Sequence, residues 1–83
     1  MIVDIELITI KKTFSHPQEK MEDGKTVEDC LRYLAATYLE EGFPDIDALK
    51  EDSMVFVNGS YGYYGKTLSD GDKLIITPQG RDG

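Results

Sequence analysis

Apolar and polar residues alternate at the start of the chain. Val3, Ile5, Leu7 and Thr9 fall on one side of an extended segment, with Asp4 and Glu6 on the other. Successive side chains of a strand point to opposite faces, so this pattern predicts a half-buried β-strand. Ile8 and Ile10 interrupt the polar side, so that side is either covered or part of a contact surface. Residues 11–25 are polar and weakly periodic. Ser15-His16-Pro17 reads as a turn, because the residue before a proline is pushed away from helical geometry. A second strand is placed at residues 18–22 as the return arm of a hairpin, and Asp23-Gly24 closes the section as a further turn.

The period then changes. Val27, Cys30, Leu31, Leu34, Ala35 and Tyr38 follow the i, i+3, i+4, i+7 rule, which gives one apolar helical stripe. Thr26 is placed to cap the helix. Asp29, three residues on, forms a capping box with aspartate for the usual glutamate or glutamine. Glu28 and Asp29 also suit the positive end of the helix dipole. Gly42 stops the helix after Glu41, and Pro44 follows. Residues 43–53 read as a loop with a single helical turn at 46–50. Met54-Val55-Phe56-Val57 is a strand ended by Asn58-Gly59, and residues 60–66 carry Tyr61, Tyr63 and Tyr64 among glycines. Asp70-Gly71 forms a turn and Leu74-Ile75-Ile76-Thr77 a last strand. Pro78 cannot donate to a ladder, so pairing stops there.

One amphipathic helix in an otherwise β chain needs one sheet face to bury against. The predicted fold is therefore α+β, a mixed sheet of four or five strands packed on one main helix, the ubiquitin-like β-grasp arrangement. Residues 1–78 form the domain, and residues 79–83 a flexible C-terminal tail without a large apolar side chain. Alternation turns Val55, Val57, Leu74 and Ile76 toward the helix and leaves Met54, Phe56 and Ile75 outside. A sheet can keep one face in water, so Phe56 and Ile75 are the expected partner surface.

Composition narrows the function. Eighty-three residues make one domain, and a chain of that size buries only ~60–65% of its unfolded surface. Little room remains for an enclosed active site, and the chain is read as a non-enzyme. The net charge of −7 argues against nucleic-acid binding, which needs clustered cations, and favours a partner with a basic face. No apolar run approaches the ~20 residues that span a bilayer, and no signal peptide is visible. The expectation is a soluble cytoplasmic protein with no membrane partner.

Single residues offer little catalytic chemistry. Cys30 is the only cysteine, which excludes an internal disulfide, and its place on the helix stripe makes it a buried structural thiol. His16 is the only histidine, read in a polar loop, and supports neither a zinc site nor a Cys–His pair. Asp45 with Asp47, and Asp70 with Asp72, fall short of a calcium loop's ligand count and read as turn residues. The tyrosines read as packing or partner contacts. No glycine-rich phosphate loop exists, so no cofactor is bound and any ATP belongs to a partner.

Three segments resemble the MoaD/ThiS family of sulfur carriers. Thr26-Val27-Glu28-Asp29-Cys30-Leu31 is similar to the family's Thr-Val-x-x-Leu-Leu helix start. Val55-Phe56-Val57-Asn58-Gly59 is similar to its Val-x-Val-Asn-Gly strand and turn. Leu68-x-Asp70-Gly71-Asp72-x-Leu74-x-Ile76-x-Pro78 is similar to its Leu-x-Asp-Gly-Asp-x-Val-x-Ile-x-Pro segment. The resemblance implies that a ubiquitin-activating-type adenylyltransferase uses ATP to adenylate the C-terminal carboxylate, here Gly83. The product becomes a thiocarboxylate that delivers sulfur to an accepting synthase in molybdopterin or tungsten cofactor, thiamine or related biosynthesis. Gly80, Arg81 and Asp82 would form the tail that carries Gly83. The family ends in Gly-Gly, and this chain has Asp82 before Gly83, which adds bulk and charge next to the reacting group. Two alternatives share the fold: an interaction module with an inert tail, and a ubiquitin-like modifier joined to lysines through Gly83.

Overall fold

The computed structural model describes residues 1–79. Along the chain come β1 (Ile2–Ile8), β2 (Thr13–Lys20), α1 (Val27–Thr37), a 3-10 turn (Leu39–Glu41), α2 (Ile46–Asp52), β3 (Ser53–Val57), β4 (Ser60–Tyr61) and β5 (Lys73–Pro78). The strands form one sheet in the order β2-β1-β5-β3-β4. β1 and β5 run parallel at its centre, and the other pairs are antiparallel. The core lies between the sheet and α1. Val3, Ile5, Leu7, Val55, Val57, Leu74 and Ile76 enter it from the strands, and Val27, Cys30, Leu31 and Leu34 from the helix. The predicted division of β3 and β5 into inner and outer residues is the observed one.

The hairpin between β1 and β2 differs from the sequence expectation. Its turn lies at residues 9–12, where the Thr9 N–H donates to the Lys12 carbonyl at 2.9 Å and the Lys12 N–H donates to Thr9 Oγ1 at 3.0 Å. The return arm therefore starts at Thr13, and Ser15-His16-Pro17 is strand rather than turn. Proline is tolerated because β2 is an edge strand and because the ladder is broken beside it. The register passes from Val3↔Glu19 to Ile5↔His16, leaving Pro17 and Gln18 opposite Asp4 alone. Gln18 adopts φ +59°, unusual for a residue with a Cβ. The Asp4 carboxylate holds it there by accepting its N–H at 2.8 Å.

The start of α1 is as predicted. The Asp29 N–H donates to Thr26 Oγ1 at 3.2 Å, and the Thr26 N–H donates to Asp29 Oδ2 at 3.0 Å. That backbone hydrogen bond, with the one from the Thr26 side chain, holds the Asp29 carboxyl below its usual pKa. A depressed carboxylate pKa stabilises the fold above the ordinary titration range, and the contribution is lost as pH falls through the folded value. Thr26→Ala should cost about 1 kcal/mol in urea unfolding, with the slope of the transition unchanged. The regular helix ends earlier than expected, at Thr37, and the 3-10 turn carries the chain to Gly42 at φ +83°.

Residues 46–52 form a longer helix than the single turn expected. Asp45 caps it by accepting the Ala48 N–H at 2.9 Å, and Ile46 and Leu49 are buried. Part of the tyrosine segment pairs as β4, and the Gly62 N–H continues toward the sheet by donating to the Val55 carbonyl at 2.8 Å. A Cβ on Gly62 would lie 2.9 Å from Val57 Cγ2, so this close approach requires glycine.

Candidate functional site

The outer face of the sheet carries one row of side chains across its strands. Glu6 stands opposite Ser15 on one side and Ile75 on the other, Ile75 opposite Phe56, and Phe56 opposite Tyr61. The Phe56 and Tyr61 rings meet edge to face with centroids 6.2 Å apart. The predicted partner residues Phe56 and Ile75 are thus direct cross-strand neighbours, both half-buried. Tyr61, 72% exposed, extends the row. Two positions further along the strands, Ile8 and Met54 share the outward direction. Asp4 and Glu6 give this face a negative border on β1. The sequence reads Tyr61 as a packing or partner contact without placing it in a strand, because β4 is only two residues long.

Two turns, at Asn58-Gly59 and at Ser69–Asp72, brace the strands that carry this face. Asn58 and Gly59 turn the chain with φ of 53° and 86°, and Gly71 sits at φ 87°. Asn58 Oδ1 accepts the Lys73 N–H at 2.9 Å, and Asn58 Nδ2 donates to Asp72 Oδ1 at 2.8 Å. Asp72 Oδ2 accepts the Ser69 N–H at 2.8 Å, and Asp70 Oδ1 accepts the Ile2 N–H at 2.6 Å. Asp72 is therefore spent on the turn that precedes β5, and Asp70 ties that turn to the first residue of β1. Asp45 likewise caps a helix, so none of these three needs a calcium ion to explain it. Among the described residues, no group of three or more His, Cys, Asp or Glu side chains could hold a metal ion.

β5 is paired on both edges, and it leads directly to the tail. Pro78 stands opposite Ser53, and the Gln79 N–H donates to the Asp52 carbonyl at 2.8 Å. The other expected site residues, Gly80, Arg81, Asp82 and Gly83, lie outside the described residues. Among the described residues, no helix is long and apolar enough to cross a membrane.

The remaining candidates are structural. Cys30 is fully buried, and burial, aided by the negative charge of Glu19, pushes its thiol up to about 12. It should resist alkylation at pH 8 in the folded protein and react completely in denaturant, as read by mass. His16 is in β2 and not in a loop. Its ring stacks on Tyr38 with centroids 4.0 Å apart, and Nδ1 lies 3.9 Å from Glu19 Oε1. The Tyr38 hydroxyl donates to that same carboxylate oxygen, which pushes the phenol up to about 12. This group fastens β2 to the end of α1. Tyr64 fastens the loop after β4 by donating to the Leu49 carbonyl at 2.9 Å.

Comparison with solved structures finds the same architecture elsewhere. The crystal structure of SAMP1 from Haloferax volcanii superposes with a TM-score of 0.66 at 21% identity, over 98% of each chain. A ubiquitin-like protein from the hyperthermophilic archaea Caldiarchaeum subterraneum superposes with a TM-score of 0.53 at 14% identity, over 99% of this chain and 100% of that one. The fold is the ubiquitin-like β-grasp. No protein-family model matches the sequence, and no curated protein matches it significantly. At such identities the likeness is one of β-grasp fold, and a functional reading rests on the residues of this chain.

Proposed function

We propose that this protein is a sulfur carrier that acts through the carboxylate of Gly83. The observation that supports the reading is the dual use of β5, which bears Ile75 of the outward apolar row and ends at Pro78. A partner seated on Phe56 and Ile75 is thereby placed at a fixed distance from the root of the tail. Five residues beyond Pro78 reach at most ~18 Å when extended, enough to enter a neighbouring active site. The protein is not an enzyme in this reading, and the activating partner supplies the ATP site. A Gly83 carboxylate oxygen attacks the α-phosphorus of ATP and pyrophosphate leaves. Hydrosulfide or an equivalent sulfur nucleophile then attacks the acyl carbon and AMP leaves, giving the thiocarboxylate. An accepting synthase takes the sulfur from it.

Asp82 favours a second reading, an interaction module with an inert tail. Its side chain adds bulk and negative charge beside a carboxylate that must approach ATP phosphates. The two readings separate in a reconstitution with ATP, hydrosulfide and the adenylating enzyme of the same cells, read by intact mass. A carrier gains the mass of one oxygen replaced by sulfur, and Asp82→Gly gains it at least as fast. Conversion of Asp82→Gly alone would favour the inert module. Conversion of neither would sink the carrier reading. Conjugates that survive thiol reduction on a denaturing gel would instead mark a protein modifier.

A further inference from the structure

Asn58 is the only asparagine in the chain, and glycine follows it. These two residues make the whole turn between β3 and β4, since Val57 pairs with Ser60 across it. Both have positive φ, 53° and 86°. A two-residue hairpin turn of this hand needs positive φ at both positions, and Asn-Gly supplies it at low steric cost. The same pair is chemically weak. With no side chain in the way, a glycine amide nitrogen can attack the side-chain carbonyl carbon of the asparagine before it. That nitrogen is accessible here. Gly59 is exposed, and its N–H has no hydrogen-bond acceptor among the described residues. Outside its chain neighbours, no atom lies within 4 Å of where a Cβ would stand.

The group it would attack is held by β5. Asn58 Nδ2 donates to Asp72 Oδ1 at 2.8 Å, and Asn58 Oδ1 accepts the Lys73 N–H at 2.9 Å. The Asn58 N–H also donates to the Lys73 carbonyl at 2.8 Å. Ring closure folds the side chain back over Gly59, so both side-chain bonds must break first. We propose that Asn58 is a self-modification site, closed while β5 holds its amide and open when the turn lifts away. In the open turn the Gly59 nitrogen bonds to Asn58 Cγ. The Cγ–Nδ2 bond breaks, and ammonia leaves with the proton that Gly59 gives up. Water then opens the five-membered ring. Cleavage at Cγ leaves aspartate, and cleavage at the backbone carbonyl carbon leaves isoaspartate, with the chain running through the side-chain carbons. Either product unlocks the start of β5. Aspartate sets a second carboxylate where Nδ2 donated to Asp72, so a hydrogen bond becomes a like-charge contact. Isoaspartate adds a backbone atom to a turn whose length fixes the register of its strands. β3, β4 and β5 carry Phe56, Tyr61 and Ile75, so the outward row is what the modification disturbs. The inference stands apart from the carrier reading.

The test incubates the full chain at pH 8 and 37 °C, folded and in guanidinium chloride. The peptide holding residue 58 is read by mass for replacement of NH by O. The folded protein should convert about tenfold or more slowly than the denatured one, because two hydrogen bonds must open first. Asp72→Ala removes the acceptor of Nδ2 and, in the folded state checked by circular dichroism, should convert about threefold or more faster than the unmodified protein. The contrast between folded and denatured unmodified protein stands whether or not that variant folds. The converted protein gains a negative charge and separates on anion exchange. Its thermal midpoint should lie about 4–8 °C lower, and Asn58→Asp should reproduce that fall for the aspartate product. No conversion at Asn58 in denaturant would overturn the site. Equal rates in the folded and denatured protein, or a folded Asp72→Ala variant no faster than the unmodified protein, would overturn the control by β5. A converted protein with an unchanged midpoint would overturn the effect on the strands.

Discussion

Leu31→Ala should lower the unfolding free energy by about 2–5 kcal/mol. Leu31 is fully buried at the middle of the α1 stripe. Val27, Leu34 and Cys30 flank it on the helix, and the inner residues of the sheet face it as parts of one core. Removing its side chain loses the transfer free energy of the missing carbons and leaves a void that a small core cannot close. For a domain of this size, 1 kcal/mol shifts the thermal midpoint by about 4–8 °C, so the fall is on the order of 10–30 °C. The contrast is Tyr33, on the outer side of the same helix and 44% exposed. Tyr33→Ala should stay within about 0.5 kcal/mol. Urea unfolding of both variants checks the pair. A cost under about 1 kcal/mol at Leu31 would mean that α1 does not close the core as described.

The double substitution Phe56→Thr with Ile75→Thr should leave the fold standing and cripple its use. Both side chains face outward from paired strands, so their removal loses one cross-strand contact worth about 0.2–1 kcal/mol and the edge contact with Tyr61. Threonine keeps the β-branched shape that suits a strand. Aspartate would be the wrong probe, since a charge at residue 75 would stand opposite Glu6 and unsettle the β1–β5 pairing. If the row docks the activating enzyme, two central anchors lost together cost about 3 kcal/mol or more, roughly a hundredfold in kcat/KM. An ATP–pyrophosphate exchange assay with the adenylating enzyme of the same cells reads that loss, and circular dichroism confirms the retained fold. Unchanged kcat/KM in a folded double variant would remove the sheet face from the account.

The parts of the fold that were legible in the sequence are those where local chemistry and tertiary demand agree. α1 announced itself through Thr26, Asp29 and a stripe with no competing pattern, and β3 and β5 through alternation between glycine turns. β2 was misplaced because Pro17 carries a strong local signal that the edge position and the Asp4–Gln18 hydrogen bond override. α2 was underestimated, although Asp45 as cap, Ile46 and Leu49 three apart and Lys50 in the last turn spelled a short helix. In the candidate site, Phe56 and Ile75 followed from alternation alone. Tyr61 reads in the sequence as a packing or partner contact, and its place beside Phe56 comes only from pairing across strands, which leaves no periodic trace in so short a strand.

The central claim is that Gly83 carries sulfur, and the most direct test is the mass of the C-terminal peptide of the protein isolated from its own cells. The account predicts a population in which one carboxylate oxygen of Gly83 is replaced by sulfur, and its loss on treatment that hydrolyses thiocarboxylates. A C-terminal peptide found only as the plain carboxylate, and still so after incubation with ATP, hydrosulfide and the cell's adenylating enzyme, would contradict it.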